Sequence, residues 1–150
     1  TMTRAEFAAI VVRALGLTPK AVDQFQDVPA EQWYAPYIGT AYTYGIVTGR
    51  EENVFDPNGT ITRQEAATMV ARAAGLCGMD TQLQTYEIRD ILAQFPDYVT
   101  VSQWAQQSVA FCYQAQILDQ SDYNVEPARA VLRCEIAQMV YNLLKEANLL

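Results

Sequence analysis

The chain has 150 residues, 51% of them apolar, with a formal net charge of −7. That suits one ordinary domain, or a few small repeats sharing a core, and a charged fraction of 18% is too low for a disordered tail. The acid excess argues against nucleic acid as a partner, since phosphate binding rests on cationic contacts. The lack of histidine removes Ser-His-Asp and Cys-His catalysis and the usual zinc ligand.

The first predicted element is a helix opened by Thr3-Arg4-Ala5-Glu6, which has capping-box spacing, and stopped at Gly16-Leu17. A short connector, about Thr18 to Gln24, leads to Phe25-Gln26-Asp27. A second, shorter helix is predicted from about Tyr34 to Tyr44, with Trp33, Tyr37, Ile38 and Ala41 as its apolar stripe and Gly45 as its stop. Gly45 to Gly49 reads as a tight turn and Asp56-Pro57-Asn58-Gly59 as another, with Ile61 briefly extended. Thr62 and Glu65 then cap a third helix, expected to stop at Gly75. Thr81 to Gln94 carries Ile88, Ile91 and Leu92 at helical spacing and reads as a connecting helix. No apolar run approaches the ~18 residues of a membrane span, so no membrane insertion is expected. The chain opens inside a motif and reads as a fragment, so the lack of a signal peptide says nothing of location. Cys77, Cys112 and Cys134 form no CxxC pair and are expected to be small buried hydrophobes.

The same phrases recur. Thr3-Arg4-x-Glu6 returns as Thr62-Arg63-x-Glu65, and Phe7, Ile10, Val11 and Ala14 fall on Ala66, Met69, Val70 and Ala73. A weaker third copy starts at Arg133-Cys134-Glu135, with Ile136, Met139, Val140 and Leu143 in the apolar places. Phe25-x-Asp27 returns as Phe95-x-Asp97, Trp33 as Trp104, Ile46 as Ile117 and Pro57 as Pro127. This divides the chain into the C-terminal half of a first repeat (1–17), a complete repeat (18–76), and a connecting helix with a divergent repeat (77–150). A lone amphipathic phrase is too short to be stable. The expectation is an all-α pseudo-repeat assembly, with the capped helices at its centre and short peripheral helices joined by Gly/Pro-rich turns.

Arg4, Arg63 and Arg133 all occupy the first helical position, where the helix dipole disfavours a cation by up to ~1 kcal/mol. A local rule broken in three copies asks for a reason. One reason is anion capture, with open amides and a guanidinium fork holding a carboxylate or phosphate. The other is an ion pair with an acid such as Asp27 or Glu31 that holds a turn to the helix. The residues alone weigh these equally.

Phe25-x-Asp27-Val28-Pro29, Trp33-Tyr34, Tyr37-Ile38, Ala41, Gly45-Ile46-Val47-x-Gly49, Phe55-x-Pro57, Ile61-Thr62-Arg63-x-Glu65-Ala66-Ala67, Met69 and Arg72-Ala73 together resemble the S-layer homology (SLH) domain. The resemblance implies domains in threes around a pseudo-threefold axis, with self-association as one way to complete the set. It implies a non-catalytic anchor, without cofactor or metal, at the outside of a bacterial cell. Its partner would be a secondary cell-wall polysaccharide bearing pyruvate ketals, held in grooves between repeats by the arginine of the Thr-Arg-Ala-Glu motif. A pyruvate carboxylate favours the anion-capture reading. Carried over by position, the candidate ligand residues are Arg4, Arg63, Gly45, Gly49, Trp33, Asp27 and Arg133. A core place beside the short helix is favoured for Trp33 over stacking on a sugar, and Asp27 also suits holding a turn. Gln64 stands for the motif's alanine, an exposed and mild change. The third repeat departs further: Gln116 and Gln120 replace the two glycines, Leu132 the capping threonine and Val125 the phenylalanine. A mainly structural role follows for it.

Three rival functions have some footing in the residues. Glu51/Glu52 and Asp119/Asp122 imitate a glycosidase pair but lie in loop-like stretches. Asp56-Pro57-Asn58-Gly59-Thr60 puts its glycine too early for an EF-hand and has no closing acid. A protein–protein or assembly module is the serious alternative, given nine tyrosines and two tryptophans.

Overall fold

The computed structural model describes residues 1–150. The fold is all-α: six α-helices, two short 3₁₀ turns and isolated bridges without a sheet. The helices are α1 (Arg4–Ala14), α2 (Ala35–Thr43), α3 (Arg63–Leu76), α4 (Thr85–Leu92), α5 (Gln106–Gln114) and α6 (Arg133–Glu146). The chain forms two compact units, Thr1–Ile61 and Thr62–Leu150. Each begins on a Thr-Arg-x-Glu helix and continues into the Phe-x-Asp phrase that follows it.

In the first unit α1 packs on α2. Thr3 caps α1 reciprocally: its hydroxyl accepts from the Glu6 N–H at 3.1 Å, and Glu6 Oε1 accepts from the Thr3 N–H at 3.0 Å. Gly16, at φ +67°, ends α1 as its sequence predicts. Phe7, Ile38, Ala41, Ile46 and Phe55 are wholly buried. Phe25 sets its ring 5.3 Å from both Tyr42 and Phe55. The connector lies directly on α2: Thr40 Oγ1 accepts from the Lys20 N–H at 2.7 Å, and a Cβ on Gly39 would stand 2.5 Å from the Lys20 carbonyl. That approach is open to glycine alone.

In the second unit α3 packs against α5 and α6, and α4 against α5. Ala110 follows Gly39 by 71 residues, the offset of Trp33 and Trp104, and here a helix, α4, rather than an irregular connector lies on the short helix. Phe95 stacks at 4.4 Å on Tyr113, and Ile117, Ile136 and Leu143 complete the interior.

Four expectations need correction. Helix α3 runs through Gly75 to Leu76, and the left-handed residue that ends it is Gly78 at φ +92°. Trp33 is not in the core: it is 53% exposed, and its neighbour Tyr34 takes the inward place. Of the cysteines only Cys112 is buried, with Cys77 part-exposed and Cys134 exposed. Gln64 is part-buried and clasps Ser102 at both ends, donating from Nε2 to its Oγ and accepting from its N–H, each at 3.0 Å.

Candidate functional site

Arg4 and Arg63 reach to residues far ahead in the chain. In the first unit Asp27 accepts from the Phe55 N–H at 2.9 Å and the Asp56 N–H at 2.7 Å, fixing the turn that follows. This aims the Phe55 carbonyl at Arg4 Nε, 2.8 Å away, while Arg4 Nη2 donates to the Thr48 carbonyl at 3.2 Å. The guanidinium carbon lies 4.6 Å from the centre of the Phe55 ring, and Arg4 is 2% exposed. The same turn closes the helix start, since Gly59 and Pro57 carbonyls accept from the Arg4 and Ala5 amides at 2.9 and 3.0 Å.

The second unit repeats the device. Asp97 accepts from the Val125 and Glu126 amides at 2.9 and 2.8 Å, and the Val125 carbonyl accepts from Arg63 Nε at 2.8 Å. Arg129 and Pro127 carbonyls take the Arg63 and Gln64 amides. Arg63 Nη1 pairs with Glu135, and Nη2 with Asp122 at 3.2 Å. Glu135 also accepts two bonds from Arg129, each 2.9 Å, and one from the Leu132 N–H. The Arg129 hydrogen bonds, aided by that amide and the Arg63 charge, hold the Glu135 carboxyl down to about 2. Burial pushes the Tyr113 phenol well above its ordinary value; Arg63 opposes the rise and Asp122 adds to it.

This geometry corrects the anion-capture picture in one respect: the first-turn amides of α1 and α3 are occupied by turn carbonyls. It also answers the dipole problem by magnitude. Hydrogen bonds from a charged group contribute ~1.5–3 kcal/mol each, against at most ~1 kcal/mol of dipole cost. The acids named beforehand are not the partners of Arg63. Asp27 fastens backbone, Glu31 is exposed, and Asp122 and Glu135 take the guanidinium.

Beside this cluster opens a cavity of about 570 Å³, within the range of ligand pockets. It brings Arg63, from the second sequence repeat, against the Gln116–Asp122 loop and α6 of the third. Its walls are amides (Gln116, Gln120, Gln138, Asn142), carboxylates (Asp119, Asp122, Glu135) and the Ile117, Leu118 and Met139 side. Gln116 holds the left-handed place of the replaced glycine, at φ +63°. Gln120 Nε2 donates to the Tyr113 carbonyl at 2.8 Å, and Asn142 Nδ2 to the Ile117 carbonyl at 3.1 Å. A smaller cavity of about 220 Å³ shares Arg63, Asp122 and Glu135.

The remaining candidates are not among the residues that line that cavity. Gly45 sits at φ +75° behind α2. A Cβ on Gly49 would come within 2.5 Å of the Glu51 carbonyl and 2.6 Å of the Val54 carbonyl, so its own turn demands glycine. Trp33 packs edge-on to Tyr34 at 5.6 Å and lies 6.3 Å from Tyr37, whose hydroxyl accepts from Arg13 Nη2 at 3.1 Å. Arg133 is exposed at the start of α6. Sequence reasoning missed Asp97 and Arg129, and set Asp122 aside as one of a pair of loop acids. The repeat of Phe25-x-Asp27 at Phe95-x-Asp97 was the signal for Asp97; for Arg129 there was none.

Residues 24–67 match the S-layer homology domain, and this segment of the chain belongs to that family. Similarity to known proteins runs along nearly the whole chain. It is 35% identical over 99% of its length to "Exoglucanase XynX" of Acetivibrio thermocellus. To "Amylopullulanase" of Thermoanaerobacterium thermosulfurigenes it is 34% identical over 99%, and to "Surface-layer 125 kDa protein" of Lysinibacillus sphaericus 32% over 83%. It spans only 13%, 8% and 10% of those three proteins. The family's role is cell-wall anchoring, in S-layer proteins and in surface enzymes where it forms one non-catalytic part of a larger chain. A chain of this family belongs at the cell surface or cell wall.

Proposed function

We propose that the chain holds its parent protein to a secondary cell-wall polysaccharide of the pyruvylated type, through grooves between sequence repeats 1–17, 18–76 and 77–150. The reading is carried by the polar cavity between the second and third repeats, in a chain whose residues 24–67 belong to a family of wall anchors. Its amide and carboxylate lining matches sugar hydroxyls, which both donate and accept. The exposed Trp33, with Tyr37 beside it, offers a face for stacking on a sugar ring. At Arg63, a ketal carboxylate approaching Nη2 meets Asp122, which already accepts from that nitrogen at 3.2 Å. The anchor contributes no chemistry to the parent's activity.

A second reading, a protein-assembly module, draws on the exposed Tyr98, Val99, Trp104 and Tyr123 of the second unit. Co-sedimentation with wall sacculi separates the two. Under the first reading the chain sediments with protein-free sacculi and stays in solution once acid extraction has removed the polysaccharide. Sedimentation unchanged by that extraction, or dependent on surface protein, favours the second.

A further inference from the structure

The cavity beside Arg63 differs from an acidic-sugar site in one respect that the chain itself supplies. Every guanidinium nitrogen of Arg63 already has an acceptor: Nε the Val125 carbonyl, Nη1 Glu135, and Nη2 Asp122. Nη1 and Nη2 each keep a second N–H, but a ligand carboxylate taking two parallel bonds there shares its nitrogens with Glu135 or Asp122 and stands against those carboxylates. Glu135 is bound firmly, tied as well to Arg129 and the Leu132 amide. Asp122 is the looser group. Its bonds to Arg63 and to the Tyr113 hydroxyl are 3.2 and 3.4 Å, and its side chain is 34% exposed. It holds the position a ligand carboxylate would take. Lining the cavity are one guanidinium, Arg63, and three carboxylates, Asp119, Asp122 and Glu135, of which Glu135 is paired from outside the lining by Arg129. An entering anion therefore meets the carboxylates of Asp119 and Asp122, whereas uncharged hydroxyls meet amide donors and acceptors and carboxylate acceptors on both the 116–122 loop and α6.

We infer that this cavity is a subsite for a non-acidic sugar residue of the wall polymer, and that Asp122 is the specificity residue that shuts sugar carboxylates out. The inference rests on the anchoring reading, and assigns the acidic sugars of the polymer to other positions. Like charge at the place of binding is what excludes the wrong ligand. Arg63 serves here to position Asp122 and Glu135.

The test uses the full 150-residue chain, isotope-labelled, with sodium pyruvate as the carboxylate probe and NMR of the Arg63 Nε–H and the Gln116 and Asn142 side-chain amides as readout. The wild type should show no saturable shift with pyruvate at constant ionic strength. Asp122→Asn and Asp122→Ala should show one, with affinity raised about tenfold or more. The asparagine variant keeps the side-chain shape should the alanine variant lose its fold. Saturable pyruvate binding at Arg63 in the wild type, or no response in both variants, overturns the exclusion. Purified wall polysaccharide should shift the Gln116 and Asn142 amides of the wild type. Polymer that binds while those amides stay still overturns the subsite and leaves the anchor standing, and polymer that does not bind at all overturns both.

Discussion

Arg63 Nε donates to the carbonyl of Val125 at 2.8 Å across 62 residues of sequence. Its counterpart, Arg4 to Phe55, is also 2.8 Å, across 51 residues. In each unit this bond fastens the start of a capped helix to the turn held by the aspartate of the Phe-x-Asp phrase. The arginine at a helix start is thus first a staple, and its place beside a cavity follows from what it staples.

Arg63→Ala should therefore do more than weaken binding. It strips an acceptor of its donor and leaves Asp122 and Glu135 short of a cation, which should cost about 2–3 kcal/mol. Chemical denaturation measures it. A loss below about 0.5 kcal/mol would mean the staple is idle. Any binding assay on this variant needs that stability beside it.

Asp97→Ala removes the acceptor for two turn amides, Val125 and Glu126. The expected cost is about 2 kcal/mol, with faster hydrogen exchange at those two amides. Unchanged exchange there would show that the turn holds without its carboxylate.

Leu132 stands where Thr3 and Thr62 cap their helices, and it offers no acceptor. The Glu135 half of the exchange survives, with Oε1 accepting from the Leu132 N–H at 2.9 Å. Leu132 is 43% exposed, so Leu132→Thr gives up little burial. It should stabilise the chain by about 1 kcal/mol, read as a raised melting temperature. A fall would mean that the leucine packs where a threonine cannot.

Acid should loosen the second unit through Glu135. Its folded value, about 2, lies below the ordinary carboxyl value of 4.5, so the unfolded chain binds the proton more readily. The stabilisation is full above the unfolded value and is lost as pH falls from about 4.5 towards 2. Glu135→Gln should flatten the stability–pH curve in that window. A curve as steep as the wild type's would place the acid sensitivity elsewhere.

The helices were readable because local signals agree: Thr-x-x-Glu boxes, period-3.6 apolar residues and glycine stops. They misled where two neighbours compete for one role. Gly75 and Gly78 both suit a helix end, and α3 runs on to the second, whereas Pro19 lies just beyond Gly16. Trp33 and Tyr34 are adjacent aromatics before the same helix, and periodicity does not say which turns inward. The site was less readable for a different reason. What Arg4 and Arg63 touch lies 44 to 72 residues away, set by packing and not by spacing. The glycine-to-glutamine changes at positions 116 and 120 helped to read the third repeat as mainly structural, yet both side chains line the cavity.

The central claim is that the chain grips wall polysaccharide itself. Titration calorimetry of the chain against purified secondary wall polysaccharide, free of protein and peptidoglycan, tests it most directly. Saturable binding that is lost once the ketal groups and chain ends are chemically degraded is the predicted result. A flat titration against polymer that still binds other anchors of the same cell wall would contradict it.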